Sequence, residues 1–226
     1  MPDNETTTTT PTPGTLAQLQ ALGLYDGVGD IYAALMTTED TNTSAPVYGD
    51  VDLIAEAVDF SLTRNYSEGT KSASNRVIRK IKRLSTVDFS ATIPRMTPAM
   101  RQKYFGHAVD TNGGELIADA LAPYCAIGLC ETRDDDTVLM RWLLKLRMNE
   151  GDVSAKTRED GTIEYHDPTI EGSAVKLSYT WTDSSSHEWA IVEYIADTAD
   201  ENCQWTKATF FAAVRGPWST VPTGTP

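Results

Sequence analysis

The sequence has few cysteines and no long apolar run, and each shortage excludes a class of protein. Its three cysteines are odd in number and scattered, so no disulfide framework is expected and a reducing compartment is the default. No run of about eighteen apolar residues occurs, so no transmembrane helix and no membrane partner are predicted. The first ten residues are acidic and Thr-rich without an apolar segment, which does not fit a secretory signal. We therefore expect a protein that is assembled in the cytoplasm.

Catalytic and cofactor-binding motifs are also missing from the sequence. No H-E-x-x-H, C-x-x-C or G-x-S-x-G motif occurs, and Gly27-Val28-Gly29 lacks the third glycine of a dinucleotide-binding loop. Residues 110–115 resemble the start of a calcium loop, but Leu121 stands where a bidentate glutamate is needed. Surface or turn positions explain the three widely spaced histidines, His107, His166 and His187. We therefore expect that the protein is not an enzyme and that it binds no metal and no cofactor.

Positive charge is concentrated in one short part of an acidic chain. The net charge is -13, which argues against nucleic acid as a bound ligand, because binding would have to neutralise phosphates. Yet six of the nineteen Lys and Arg residues lie between Lys71 and Arg83, without an acid between Glu68 and Asp88. This concentration predicts contact with an acidic partner surface. A solvated edge strand, whose charges prevent aggregation, is the alternative. The predicted contact residues are Arg76, Arg79, Lys80, Lys82 and Arg83.

The sequence of residues 76–83, called the basic segment here, is compatible with two local structures. The apolar residues Val77, Ile81 and Leu84 have the spacing of one helix face, whereas alternation within 78–83 suits an exposed strand. Its candidate acidic counterparts form two clusters, Asp134, Asp135, Asp136 and Asp197, Asp200, Glu201. The triple aspartate could instead hold a metal or form a solvated hairpin tip.

Strand patterns dominate the rest of the chain. Apolar residues alternate with polar ones over residues 87–93, which predicts a strand in a sheet with one wet face. Hairpins are predicted at 123–148, with an acidic tip, and at 174–196 around 183–187. Further strands are predicted at 24–36, 51–64, 85–94 and 204–214, with a polar loop at 65–75. Seven or eight strands and at most three short helices indicate a mainly β protein.

Helix signals are few, and the clearest covers residues 97–105. Thr97 suits the N-cap, Pro98 the first helical position and Gly106 the left-handed residue after the end. Weaker signals predict helical turns at 16–22 and 115–121. The Thr/Pro-rich residues 1–22 are expected to form a flexible arm and 219–226 a flexible tail, on either side of one domain at 23–218.

Tryptophan offers an alternative function. Five tryptophans could stack on sugars or bases, but four lie within predicted strands, where packing is their ordinary role. A monomeric carbohydrate- or ligand-binding β-sandwich is therefore the alternative to a protein that assembles with itself.

A set of features follows in order along the chain: Gly23-Leu24-Tyr25, Ile31 to Leu35, Tyr48-Gly49, the strand 57–63, the loop Ser72 to Asn75, the strand and helix at 87–106, and Trp205 to Pro217. This order of elements resembles the major tail protein, or tail tube protein, of long-tailed, siphovirus-type bacteriophages. The resemblance spans residues 23–218, although the loop at 72–75 contains no acid and the segment after it is basic, where the family is usually acidic.

The resemblance implies a β-sandwich or barrel-like tail tube fold with one short flanking α-helix, an extended loop and an N-terminal arm. It implies homohexameric rings that stack into a tube in the virion tail, with a tape measure protein and tail terminator or tip proteins as partners. It also implies an acidic lumen, for which the two acidic clusters are candidates. Such a lumen would let DNA pass during ejection without binding it, since phosphates are repelled. We expect residues 65–84 to contact an adjacent ring or subunit.

Overall fold

The computed structural model describes residues 23–73, 76–117, 121–151 and 167–221, and these residues form a mainly β protein. Two short helices lie within this part of the chain, α1 (Pro98–Phe105) and α2 (Lys207–Phe211). The strands are β1 (Tyr25–Val28), β2 (Asp30–Thr38), β3 (Val47–Tyr48), β4 (Asp52–Glu56), β5 (Asp59–Ala73), β6 (Arg76–Thr92), β7 (Ala108–Val109), β8 (Glu115–Leu116), β9 (Cys125–Arg133), β10 (Val138–Glu150), β11 (Thr169–Val175), β12 (Thr180–Thr182), β13 (Glu188–Ala190) and β14 (Glu193–Asp197).

Ten of these strands form one antiparallel sheet in the order β3-β2-β9-β10-β11-β6-β5, with β4 beside β2, β1 beside β9 and β14 beside β10. Strands β4 and β5 lie at opposite edges, yet only Ala57 and Val58 separate them in the chain. Two residues span at most about 11 Å between the strand ends. A flat sheet of seven strands would separate its edges by about 29 Å. The sheet therefore curls strongly, as a barrel-like domain requires.

Two apolar clusters lie on opposite faces of the sheet. Alternation along β9 places Cys125 in one cluster and Cys130 in the other. The first cluster contains the apolar residues Val87, Phe89 and Ala91 of β6 and the buried Tyr104 and Phe105 of α1. The second contains Trp142 of β10 and the buried residues of α2. Burial raises the pKa of the Cys125 thiol to about 12, which makes it a packing residue.

Helix α1 is confirmed with both of its predicted caps. The Thr97 hydroxyl accepts a hydrogen bond from Met100 N at 3.3 Å, and Gly106 adopts a left-handed φ of 74°. The buried Tyr104 hydroxyl lies 2.6 Å from Asp52 Oδ2, which fixes the helix against β4. None of the helices in the described ranges is long and apolar enough to cross a membrane.

Both predicted hairpins exist, with changes in extent. Strands β9 and β10 join through a turn at Asp134–Asp136, in which Asp136 has a left-handed φ of 64°. Strands β12 and β13 form the second hairpin around residues 183–187. The outer parts of the predicted second hairpin do not pair with each other. They belong to β11 and β14, and both of these strands pair with β10.

Two local predictions in the second half of the chain are wrong. Residues 204–214 contain helix α2, because Thr206 and Thr209 form a capping box that outweighs the apolar character of the segment. Residues 115–116, where a helical turn was expected, form β8 and pair with β7 across the Asn112-Gly113 turn. Residues 118–120 and the predicted turns at 16–22 lie outside the described residues.

Candidate assembly surface

The basic segment is a strand, and it belongs to a long two-stranded arm. Strands β5 and β6 pair from Asp59–Thr92 to Ala73–Arg76, whereas β11 supports β6 only from Thr86 to Thr92. Residues 66–84, called the basic arm here, therefore extend beyond the sheet as a ribbon. The predicted polar loop at 65–75 is wrong as far as Ala73, because those residues pair with β6. A ribbon with water on both faces has no apolar alternation for sequence reasoning to detect.

The basic arm has a charge opposite to that of the rest of the protein. It contains six basic residues and one acid, Glu68, so its net charge is +5 and the remaining residues carry -18. Lys80 Nζ lies 2.8 Å from Glu68 Oε2, and Lys82 Nζ lies 4.0 Å from Glu68 Oε1. Arg83 is exposed and has no ion pair within the described part of the chain. One glutamate cannot neutralise this surface, which leaves it able to bind an acidic partner.

The predicted contact residues are distributed over both faces of the basic arm. Lys80 and Lys82 share a face with Glu68 and Tyr66, whose ring centroid lies 4.6 Å from Lys82 Nζ. Arg83 follows Lys82 directly and therefore lies on the other face. The side chains of the two remaining predicted residues, Arg76 and Arg79, lie outside the described residues, although both pair through their backbones with β5.

The triple aspartate has a structural role in the β9–β10 turn. Asp134 Oδ1 accepts a hydrogen bond from Leu24 N at 2.8 Å, and Asp135 Oδ2 accepts one from Gly23 N at 2.9 Å. Hydrogen bonds from Thr137 lower the pKa of Asp135. Only Asp136 is exposed without such a role. No group of side chains suited to a metal ion occurs among the residues that the structure describes.

The second acidic cluster is joined to the first by a nearly buried arginine. The Arg133 guanidinium donates to both carboxylate oxygens of Asp197 at 2.7 Å, and this bonding lowers the pKa of Asp197. Asp200 accepts a hydrogen bond from Asn202 N within the following turn, and Glu201 is exposed. The fold thus brings both predicted acidic clusters to one end of the sheet. No ion pair between described residues connects them to the basic arm of the same chain.

An exposed polar sheet face lies on the outer side of β5, β6, β11 and β10. Its alternating positions confirm the predicted wet face of residues 87–93, with Asp88 and Ser90 outward. The face forms an open groove with a volume of about 410 Å³. The polar residues that line it are Ser61, Thr63, Asp88, Ser90, Asn149, Glu171 and Ser173.

The tryptophans do not form a common binding face. Trp142 and Trp205 are buried in the second apolar cluster. Trp181 and Trp189 stand opposite each other in the β12–β13 hairpin, where Trp189 is exposed and donates from Nε1 to Asp183 Oδ2 at 3.0 Å. Trp218 packs edge-on against Tyr179. A stacking platform for a sugar would need several exposed rings in one plane.

Sequence reasoning missed the residues that hold the base of the basic arm. Arg64 bonds to Glu193, and Asn65 bonds to Asp88 across the β5–β6 pair. The Arg64–Glu193 pair joins residues that are 129 positions apart in the chain, so no local sequence pattern predicts it. The charge change at the end of the predicted strand 51–64 was the only available signal.

Comparison with known proteins does not identify the chain. No protein-family model matches its sequence. No curated protein matches it either. The arm, the acidic end of the sheet and the polar sheet face are therefore the basis for assigning a function.

Proposed function

We propose that this protein is the structural subunit of a phage tail tube, which assembles into stacked hexameric rings whose acidic lumen conducts DNA. One observation carries the proposal: a basic two-stranded arm projects from a curled, strongly acidic sheet. In a monomer the charge of such an arm would only keep an exposed edge strand from aggregating. A subunit that contacts copies of itself gains a long contact with complementary charge.

The charge distribution favours a second copy as the partner of the basic arm. Each copy carries -18 outside the arm, so it offers acidic surface at the concentration of the protein itself. Nucleic acid would meet the same acidic surface and be repelled from it. Asp136 and Glu201, at the acidic end of the sheet, are exposed candidates for this contact.

The free edge of β5 supports the same proposal. Strand β5 pairs with β6 along one side, and no pairing on its other side is present among the described strands. A free edge of fifteen residues is an aggregation hazard in a monomer. Two-stranded ribbons are also marginally stable in water. Pairing around a closed ring would remove the hazard and stabilise the basic arm.

The polar sheet face is the candidate wall of the lumen. The groove in this face is lined by the carboxylates of Asp88 and Glu171 and by hydroxyl groups, and none of its described lining residues is a cation. DNA that passes such a wall would release no counterions, so it would gain no free energy by binding to the wall. The basic arm would then lie at subunit contacts, away from the DNA.

Assembly of the purified full-length chain tests the proposal. Size-exclusion chromatography with light scattering and negative-stain electron microscopy should reveal rings or tubes. A variant with Lys80→Gln, Lys82→Gln and Arg83→Gln should lose at least tenfold in assembled mass, because the arm loses half of its basic residues. The matched control is Arg95→Gln with Lys176→Gln, two exposed basic residues outside the arm without ion pairs in the described residues.

Three outcomes would count against the proposal. A wild-type chain that remains monomeric at every concentration and salt level would reject self-assembly and favour the ligand-binding β-sandwich. Normal tubes from the triple variant would remove the role of the basic arm. A map of assembled tubes with a basic inner wall would reject the DNA-conducting lumen.

A further inference from the structure

The basic arm leaves the sheet at a level where three structural features coincide. Support from β11 ends at the Val175–Thr86 pair. At the same level the register changes from Asn65–Thr86 to Tyr66–Leu84, so Ser85 is left unpaired as a β-bulge. Bulges bend a strand and increase its twist. The direction of the arm is therefore decided at its base, where both of its anchoring residues also lie.

On one face of the sheet, a series of ion pairs with alternating charge ends at the base of the arm. Arg64 Nη2 lies 2.7 Å from Glu193 Oε2, and Glu193 Oε1 lies 3.0 Å from Arg141 Nη1. Arg141 also pairs with Glu131 on β9. The side chains of Glu193 and Arg141 are only 8% and 9% exposed, whereas that of Arg64 is 38% exposed. The chain of two arginines and two glutamates is neutral overall and crosses β5, β14, β10 and β9.

On the opposite face, an amide holds the same level of the arm. Asn65 Nδ2 donates to Asp88 Oδ2 at 2.6 Å and lies 3.1 Å from Thr86 Oγ1. The other Asp88 oxygen accepts a hydrogen bond from Ser173 Oγ of β11 at 2.7 Å. Adjacent residues of β5 point to opposite faces, so Arg64 and Asn65 hold the ribbon from both sides.

We infer that Arg64 and Asn65 are positioning residues that fix the direction in which the basic arm leaves the sheet. Beyond them the ribbon has no neighbouring strand in the described residues to hold it, so rotation about the bulge is restrained at this level, where Leu84 also packs against the first apolar cluster. Removing Arg64 leaves Glu193 paired with Arg141, so the body of the protein keeps its buried charges balanced. The Arg64 contact is partly exposed, so salt screens it more than it screens the Arg141 pairs.

The consequence for assembly rests on the proposed function. Six arms in a ring must point in matching directions to reach equivalent surfaces, since closed rings repeat one contact. A loosened arm would keep all its positive charge and still assemble poorly. Arg64 and Asn65 would then control assembly without touching the partner.

Hydrogen–deuterium exchange on the full-length chain, kept dilute and unassembled, tests the inference directly. Arg64→Ala should speed exchange of the arm amides at least threefold and leave those of β9 and β10 unchanged. Arg64→Lys should recover part of the protection, because one charged donor remains. Arg64→Ala with Asn65→Ala should bring the arm close to the exchange rate of an unstructured peptide. In 1 M NaCl the wild-type arm should approach the Arg64→Ala rate.

Lys103→Ala is the matched control. The Lys103 side chain is also 38% exposed and pairs with an acid, Asp52, far from the arm. This variant should leave arm exchange unchanged. Arm exchange in Arg64→Ala equal to that of the wild type would overturn the inference, and so would faster exchange that spreads into β9 and β10. A wild-type chain that never assembles would reject the proposed function but leave this exchange result intact.

Discussion

At the scale of single residues, Arg133 determines how one end of the sheet is built. Its side chain is only 5% exposed, and a buried charge is stable only when it is paired and hydrogen-bonded. It meets both oxygens of Asp197, donates to the Tyr25 hydroxyl at 2.9 Å and donates to Thr137 Oγ1 at 3.0 Å. Arg133 therefore holds β1, the β9–β10 turn and the end of β14 together.

Stability at acid pH should report this contact. The Arg133 bonds lower the pKa of Asp197, so their stabilisation is complete above the ordinary aspartate pKa of about 3.9 and is lost as the pH falls through the lower folded value. Asp197→Asn should cost about 1–2 kcal/mol of unfolding free energy at pH 7, since the group is partly exposed. Urea unfolding curves should show this difference shrinking toward pH 3. Asp136→Asn, at an exposed acid in the neighbouring turn, is the control, and a cost for Asp197→Asn that is independent of pH would contradict the assignment.

At the scale of elements, helix α2 packs unusually closely against β9. Phe211 stacks on Tyr32 with ring centroids 4.3 Å apart, directly over Gly128. A Cβ atom at Gly128 would lie 2.9 Å from Phe211 Cε1 and 2.9 Å from the Trp142 ring. The glycine is therefore required by the approach of the helix.

Gly128→Ala should destabilise the protein by about 1–3 kcal/mol, because two aromatic rings must move to make space. Chemical denaturation followed by tryptophan fluorescence measures this cost. Gly69→Ala is the control, since a Cβ atom there meets nothing within 4 Å, and its effect should stay within about 0.5 kcal/mol. Equal effects of the two substitutions would contradict the packing of α2 on β9.

At the scale of the whole molecule, opposite charges are separated between the basic arm and the rest of the chain. Contacts between exposed charges are screened by salt, since the Debye length falls from about 10 Å at 0.1 M to about 3 Å at 1 M. Light scattering should therefore show less assembly of the wild-type chain at 1 M than at 0.1 M NaCl. The triple glutamine variant should respond less to the same change. Assembly that strengthens at high salt would indicate apolar contacts and contradict a charge-driven arm.

Features that depend on neighbouring residues could be predicted from the amino-acid sequence alone. The caps of α1, the alternation of β6 and the hairpin turn before β10 were all predictable, because each depends on residues within one turn or one strand. The sequence also determined that the basic residues are concentrated in one segment. These features settle the mainly β class and identify the surface on which the proposals depend.

Contacts between distant residues could be identified only once the fold was known. The curling of the sheet, the pairing of the basic segment in a ribbon and the meeting of the two acidic clusters at Arg133 all join positions that are far apart in the chain. The Arg64 anchor and the close approach of α2 to Gly128 depend on such contacts too. Propensity and periodicity act over a few residues, whereas these contacts exist only after the sheet has brought its strands together.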